Sequence, residues 1–63
     1  MPIANILMLE GRTSEDKQAL IRAVTAAIAD TIRANPEAIR VILQEVPKEN
    51  FGIAGKSARE LGR

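Results

Sequence analysis

The 63-residue sequence contains no cysteine, histidine, tryptophan or tyrosine, and Phe51 is its only aromatic residue. Without cysteine no disulfide can stabilise the fold, and without cysteine or histidine the usual zinc sites are excluded. The same absences exclude Ser-His-Asp triads and Cys-His nucleophilic pairs. Any proton transfer must therefore use carboxylates, lysine or the amino terminus of the chain.

Charge and hydropathy exclude further classes. Nine basic and eight acidic residues are interspersed, with neither a basic cluster nor stacking aromatics, so nucleic-acid binding is not expected. The opening apolar stretch, residues 3–9, contains Asn5 and is far shorter than the roughly 18 residues of a membrane span. We expect a cytoplasmic protein whose partners include neither nucleic acid nor membrane.

The length of the chain itself raises a problem of stability. A domain of this size buries only about 60% of the surface that its unfolded form exposes, and its core rarely contributes more than about 3–5 kcal/mol. Since disulfides and zinc are excluded, self-association is the remaining way to stabilise the fold.

The apolar pattern predicts a strand, a helix and a second strand. Residues 2–9 form a short apolar run, which predicts a strand largely covered on both faces. Thr13 and Ser14, followed by two acidic residues, predict a helix start, and Asn35-Pro36 predicts its end. One apolar stripe runs along this helix and consists of Leu20, Ile21, Val24, Ile28 and Ile32.

Residues 39–46 predict the second strand, with Ile39, Val41 and Leu43 on one face and Arg40 on the other. Pro47 ends it, turn-forming residues follow over 48–57, and the remainder reads as a polar tail. Two strands joined through a helix are expected to be parallel, with a right-handed crossover. Such a unit leaves one sheet face bare and both edges open, so we expect other copies of the chain to complete the sheet.

Two arginines stand where an anion could bind. Arg40 interrupts an apolar strand, where an unpaired buried guanidinium would cost several kcal/mol. An edge position paired with Glu45 or a helix acid is its ordinary explanation. Arg12 lies in the turn before the helix, whose N-terminal N–H groups also favour anions. The ordinary alternative for Arg12 is a loop arginine without a special role.

Pro2 is a candidate base if Met1 is removed, which a small second residue permits. Removal would leave a rigid secondary amine, whereas a retained Met1 would make the same nitrogen an amide without a basic lone pair. The pKa of an α-amino group is about 7.7–8.0 in peptides, and burial or nearby cations lower it toward neutrality. The ordinary alternative is a proline that merely opens an edge strand.

Four segments together resemble the 4-oxalocrotonate tautomerase family. They are Pro2-Ile3-Ala4, Leu9-Glu10-Gly11-Arg12, Arg40-Val41-Ile42 and Phe51-Gly52-Ile53, with matching spacing along essentially the whole chain. The resemblance implies a single tautomerase domain over residues 1–63, of α+β class. Its protomer would be a β-α-β unit with parallel strands and a short C-terminal hairpin. Two protomers would pair into a four-stranded sheet, and three dimers would form a homohexamer.

The resemblance also implies a chemistry. In that family the amino-terminal proline, here Pro2, is the general base that converts the dienol dicarboxylate 2-hydroxymuconate to 2-oxo-3-hexenedioate. By position, Arg40 from a neighbouring subunit would bind the C1 carboxylate and the 2-oxygen, and Arg12 the distal carboxylate. Leu9 and Phe51 would contact the substrate, and Phe51 would help to keep the pKa of the amine low. No cofactor or metal is implied, and the pathway would be aromatic-hydrocarbon catabolism.

Departures from the family pattern narrow the expected reaction. Leu9 and Ile53 replace an arginine and a water-activating glutamate of the dehalogenase branch, so hydrolytic dehalogenation is not expected. Ala54-Gly55 replaces the usual Gly-Gly of the hairpin. Two alternatives stay open: a tautomerase acting on another enol such as phenylenolpyruvate, and a non-catalytic oligomeric module if Met1 is retained.

Overall fold

The computed structural model describes residues 1–63 as a two-stranded sheet, one long helix and a C-terminal arm. In chain order the elements are β1 (Ile3–Leu9), α1 (Ser14–Ile32), a 3-10 turn (Pro36–Ala38), β2 (Arg40–Val46), a second 3-10 turn (Lys48–Asn50), β3 (Gly52–Ile53) and β4 (Lys56–Ser57). β1 and β2 are parallel, in a register that runs from Ile3 opposite Arg40 to Leu9 opposite Val46. β3 and β4 form an antiparallel hairpin. The predicted α+β class, a β-α-β unit with a short hairpin, is confirmed.

The two faces of the β1-β2 sheet differ in exposure. Ile3, Leu7 and Ile42 are 61%, 70% and 46% exposed on the bare face, opposite the helix. The prediction that β1 is covered on both faces is therefore wrong for a single chain, because one helix covers only one side of a sheet. The half-buried residues on the helix face are Ala4, Ile6, Met8, Val41 and Leu43.

Helix α1 begins as predicted. The Thr13 hydroxyl accepts a hydrogen bond from the backbone N–H of Asp16 at 3.1 Å, and acidic residues occupy the first turn. Its end differs from the prediction: the helix stops at Ile32, and Arg33 takes a left-handed conformation with φ 56°. Asn35-Pro36 does not end the helix. This pair starts the following 3-10 turn, because asparagine caps a turn well and proline fits its first position.

The C-terminal arm comprises residues 47–63, which leave the sheet after Pro47. The predicted polar tail fits the exposed residues 59–63 but is wrong for Ala58. Ala58 is fully buried, and its N–H donates to the carbonyl of Phe51 at 2.7 Å. Leu61 and Arg63 donate their N–H groups back to the carbonyls of Ser57 and Ala58. The end of the chain therefore folds onto the hairpin through a small apolar residue, a contact that local polarity does not reveal.

The hairpin turn carries an alanine in a conformation that favours glycine. Ala54 has φ 51° and Gly55 has φ 87°. Two-residue hairpin turns of type I′ require positive φ at both central positions. A left-handed conformation costs a residue with a Cβ about 1–2 kcal/mol. Replacing the family's usual first glycine by Ala54 therefore strains this turn.

The protomer has almost no interior. Only Ile39 and Ala58 are buried, and the chain measures 43 × 23 × 14 Å with a radius of gyration of 14.7 Å. A compact domain of this length has a radius of gyration near ~10.6 Å. The accessible surface is 4763 Å², against about 4,000 Å² for a folded monomer of this mass. A single chain therefore buries less of its surface than a compact monomer of this length. None of its helices combines the length and apolar character that crossing a membrane requires.

Candidate active site

Pro2 and Arg40 lie together at one end of the sheet. The backbone N–H of Arg40 donates to the carbonyl of Pro2 at 3.0 Å, and Ile3 stands opposite Arg40 in the parallel register. The alternation of β1, continued back by one residue, puts the ring of Pro2 on the helix face. Arg40 lies on the bare face with Ile42. Each chain therefore turns these two side chains to opposite faces, so Arg40 is directed away from its own proline.

The guanidinium of Arg40 has no carboxylate partner. Its Nη1 donates to the carbonyl of Glu37 at 2.8 Å and, at 3.4 Å, to that of Ile39. The predicted pairing with Glu45 or a helix acid is wrong, since Glu45 binds Lys17 at 3.0 Å instead. Arg40 and Glu45 are an odd number of residues apart on one strand, which places them on opposite faces.

Arg12 and Leu9 lie at the far end of the same sheet. Seven residues of β1 separate Pro2 from Glu10, a length of about 20 Å or more. Arg12 borders an open groove of about 410 Å³, between the end of β1 and the start of α1. No ion pair or side-chain hydrogen bond of the chain involves Arg12, so all of its donors are free for an anion. The groove is lined by Met8, Arg12, Asp16, Lys17 and Leu20.

Phe51 belongs to this far end as well. The Glu10 carboxylate, directly after Leu9, accepts a hydrogen bond from the backbone N–H of Lys48 at 3.1 Å. The same Oε2 atom lies 3.8 Å from Nη2 of Arg59, so Glu10 holds the base of the arm. Phe51 follows the 3-10 turn that begins at Lys48. This contact was not predicted from the sequence. The available signal was Pro47, which has no side-chain acceptor for the N–H groups of the turn that it precedes, so that the acceptor must come from elsewhere in the chain.

The candidate residues thus form two separate groups on each chain. We call Pro2 with Arg40 the proline end, and Leu9, Arg12 and Phe51 the arginine end. One chain places each group at one end of the sheet, with Pro2 and Arg40 on opposite faces, and the two ends lie a strand length apart. A small molecule that touches Pro2 and Arg12 must therefore bind between chains. Such a site offers two separate guanidinium groups and apolar side chains, which suits an acid with two carboxylates.

The comparisons with known protein families, sequences and structures all point to one family. The family model described as "Tautomerase enzyme" matches residues 2–60. A 2-hydroxymuconate tautomerase of Comamonas testosteroni is 54% identical over 63 residues, which is 100% of both chains. A structure from the 4-oxalocrotonate tautomerase isozymes of Methylibium petroleiphilum has TM-score 0.91 and 50% identity, covering 98% of this chain and 100% of that one. A heterohexamer 4-oxalocrotonate tautomerase from Chloroflexus aurantiacus has TM-score 0.89 and 41% identity, covering 97% and 98%.

Proposed function

We propose, from the premise that this chain belongs to the tautomerase family, that it is a 2-hydroxymuconate tautomerase. The resemblance predicted from four short segments is confirmed by relatives that span the full length. The observation that carries the proposal is the pair of guanidinium groups, Arg40 and Arg12, both free of carboxylates and situated at opposite ends of the strand that follows Pro2.

The reaction needs only the movement of one proton. The dienol loses its hydroxyl proton as its C2–O bond becomes a carbonyl, and the C2–C3 double bond moves to C3–C4. The electron pair of the former C4–C5 double bond takes up a proton at C5. No electrons enter or leave, and the 2-oxygen carries the negative charge of the dienolate between loss of the hydroxyl proton and protonation of C5. A base that accepts and returns one proton near neutral pH is sufficient. The Pro2 amine meets this requirement once Met1 is removed.

The two arginines have different tasks. Arg40 of a second subunit binds the C1 carboxylate and stabilises negative charge on the 2-oxygen, a contribution typically worth about 3–4 kcal/mol. Arg12 binds the distal carboxylate and sets the position of the substrate along the site. Leu9 and Phe51 exclude water, and the apolar surroundings favour the uncharged amine, which lowers the pKa of Pro2.

The proposed assembly is a homohexamer, built as a trimer of dimers. Its support is the bare sheet face with Ile3, Leu7 and Ile42, the excess of exposed surface, and the lack of a core within one chain. Because Arg40 and Arg12 of one chain cannot both reach its own Pro2, the proposed site takes them from other chains, and activity requires assembly. The cytoplasmic location stays a prediction.

Mass spectrometry and a spectroscopic assay test the proposal. Intact mass tells whether Met1 is absent, and native mass counts the subunits. We expect the consumption of 2-hydroxymuconate, followed by ultraviolet absorbance, to fall by at least about a hundredfold in Pro2→Ala, as expected for loss of a general base. Equal rates in the wild type and Pro2→Ala would refute the assignment of the base.

A comparison of substrates separates the open alternatives. Arg12→Ala is expected to lower kcat/KM for the diacid by about ten- to a hundredfold, since a charged hydrogen-bonded pair is lost, and to leave a monoacid enol such as phenylenolpyruvate nearly unaffected. Preference of the wild type for the monoacid would favour a tautomerase of another substrate. A retained Met1 with an intact oligomer and no activity would favour a non-catalytic module.

A further inference from the structure

We infer that Asn35 is a positioning residue for Arg40, acting through the backbone of the 3-10 turn Pro36–Ala38. The inference rests on the proposed function, because it concerns how the guanidinium of Arg40 meets the substrate carboxylate. The Asn35 side chain accepts a hydrogen bond from the backbone N–H of Glu37 at 3.0 Å. Its own carbonyl accepts from Ala38 N–H at 2.8 Å, so both oxygens of Asn35 hold the turn.

The turn leaves one carbonyl for Arg40. The carbonyls of Asn35 and Pro36 accept from the N–H groups of Ala38 and Ile39, at 2.8 and 3.1 Å. In a longer 3-10 helix the next carbonyl, that of Glu37, would accept from the N–H of Arg40. That N–H instead donates to Pro2 at 3.0 Å, where the turn meets the sheet. The Glu37 carbonyl is therefore available to Nη1 of Arg40, which binds it at 2.8 Å.

This contact decides which edge of the guanidinium faces outward. Both Nη1 hydrogens are used, one by Glu37 and one, less closely, by Ile39. The donors that remain are Nε–H and the two hydrogens of Nη2. Together Nε and Nη2 form an edge that can hold a carboxylate with two parallel hydrogen bonds. The turn thus presents Arg40 in one orientation, which reduces the rotamer freedom that substrate binding would otherwise remove.

Asn35 is the member of this arrangement whose side chain can be changed without touching Arg40. In Asn35→Ala the Glu37 N–H loses its partner, and the carbonyl that holds Nη1 is no longer fixed. One neutral hydrogen bond at an exposed position corresponds to about a three- to tenfold effect. We expect kcat/KM for 2-hydroxymuconate to fall by that factor, mainly through KM. Asn35→Ser keeps a short neutral acceptor and is expected to recover most of the loss.

A double-mutant cycle separates positioning from general destabilisation. Asn35→Ala is expected to have no further effect on kcat/KM when Arg40 is already alanine, since there is then nothing to position. The matched control is Thr25→Ala, which removes another side-chain-to-backbone hydrogen bond, 2.7 Å long, within α1. We expect this control to alter thermal stability but leave KM unchanged. Native mass spectrometry of every variant verifies that only assembled protein is compared.

The outcomes are distinguishable. A loss of the same size for Asn35→Ala with and without Arg40 would overturn the inference, as would a KM equal to that of the wild type. If Asn35→Ala assembles poorly, Asn35→Gly also removes the acceptor at a smaller cost in stability and carries the same test. Wild-type activity in Arg40→Ala alone would instead refute the proposed function.

Discussion

Two inactive variants are expected to restore each other's activity, because the proline end and the arginine end of one chain lie a strand length apart. The variants are Pro2→Ala, which lacks the base, and Arg12→Ala, which lacks the distal carboxylate ligand. In a randomly mixed hexamer, a complete site needs an intact Pro2 from one chain and an intact Arg12 from another. At equal amounts each condition holds half of the time, so about one quarter of the sites are complete.

The assay is the 2-hydroxymuconate rate after the two variants have been unfolded together, mixed in equal amounts and refolded. We expect about a quarter of the wild-type rate per site, from two preparations that each retain about a tenth of that rate or less. If both residues served the same site from the same chain, no mixture would contain a complete site. The mixed sample would then remain as inactive as its components, and the composite site would be refuted.

A second mixture provides the control. Wild-type chains combined with chains that carry both substitutions also give complete sites about one quarter of the time if Pro2 and Arg12 come from different chains. If they came from one chain, about half of the sites would be complete. Equal rates in the two mixtures therefore indicate a site between chains, and this comparison is insensitive to losses during refolding.

Three further predictions follow from the fold. Ala54→Gly relieves a positive φ of 51° and is expected to stabilise each chain by about 0.5–1 kcal/mol, measured by chemical unfolding at fixed protein concentration; a lower unfolding midpoint would contradict this. Ile42→Asp would bury a carboxylate between chains at a cost of several kcal/mol, so we expect native mass spectrometry to show no oligomer of this variant. The control Ala26→Asp places the same charge on the exposed surface of the helix and is expected to assemble normally. As pH falls below the pKa of the Pro2 amine, kcat/KM is expected to decline, because the protonated amine cannot accept a proton. Phe51→Ala admits water to the site and is expected to move this decline toward the ordinary amine pKa of about 8. A pH profile equal to that of the wild type would contradict the role of Phe51.

Strand faces and the helix start could be predicted from sequence because both depend on near neighbours. Alternation places Arg40 and Ile42 on one face, as the structure does. The Thr13 cap needs only the N–H of a residue three positions later. The hydrogen-bond partner of Arg40 could not be predicted, because it is a backbone carbonyl, which every residue type has.

The arm and the site required information that local pattern does not hold. Glu10 meets Lys48 across 38 positions of sequence, and Ala58 is buried where its N–H donates to the carbonyl of Phe51. The roles of Pro2 and Arg12 came from the family resemblance, since spacing alone gives no reason to connect residues at opposite ends of a strand. On the proposed assembly the reason is physical, because the groups that complete each site would belong to other chains.

On the proposed assembly, a chain with only two buried residues is expected to have no stable folded monomer, and this sets how its refolding depends on protein concentration. Regain of structure after dilution from denaturant is expected to depend on encounters between chains, so halving the protein concentration lengthens the half-time. Newly made chains are then expected to be sensitive to proteases until their concentration is high enough for assembly. The abundance of the active catalyst would then rise more steeply than its rate of synthesis.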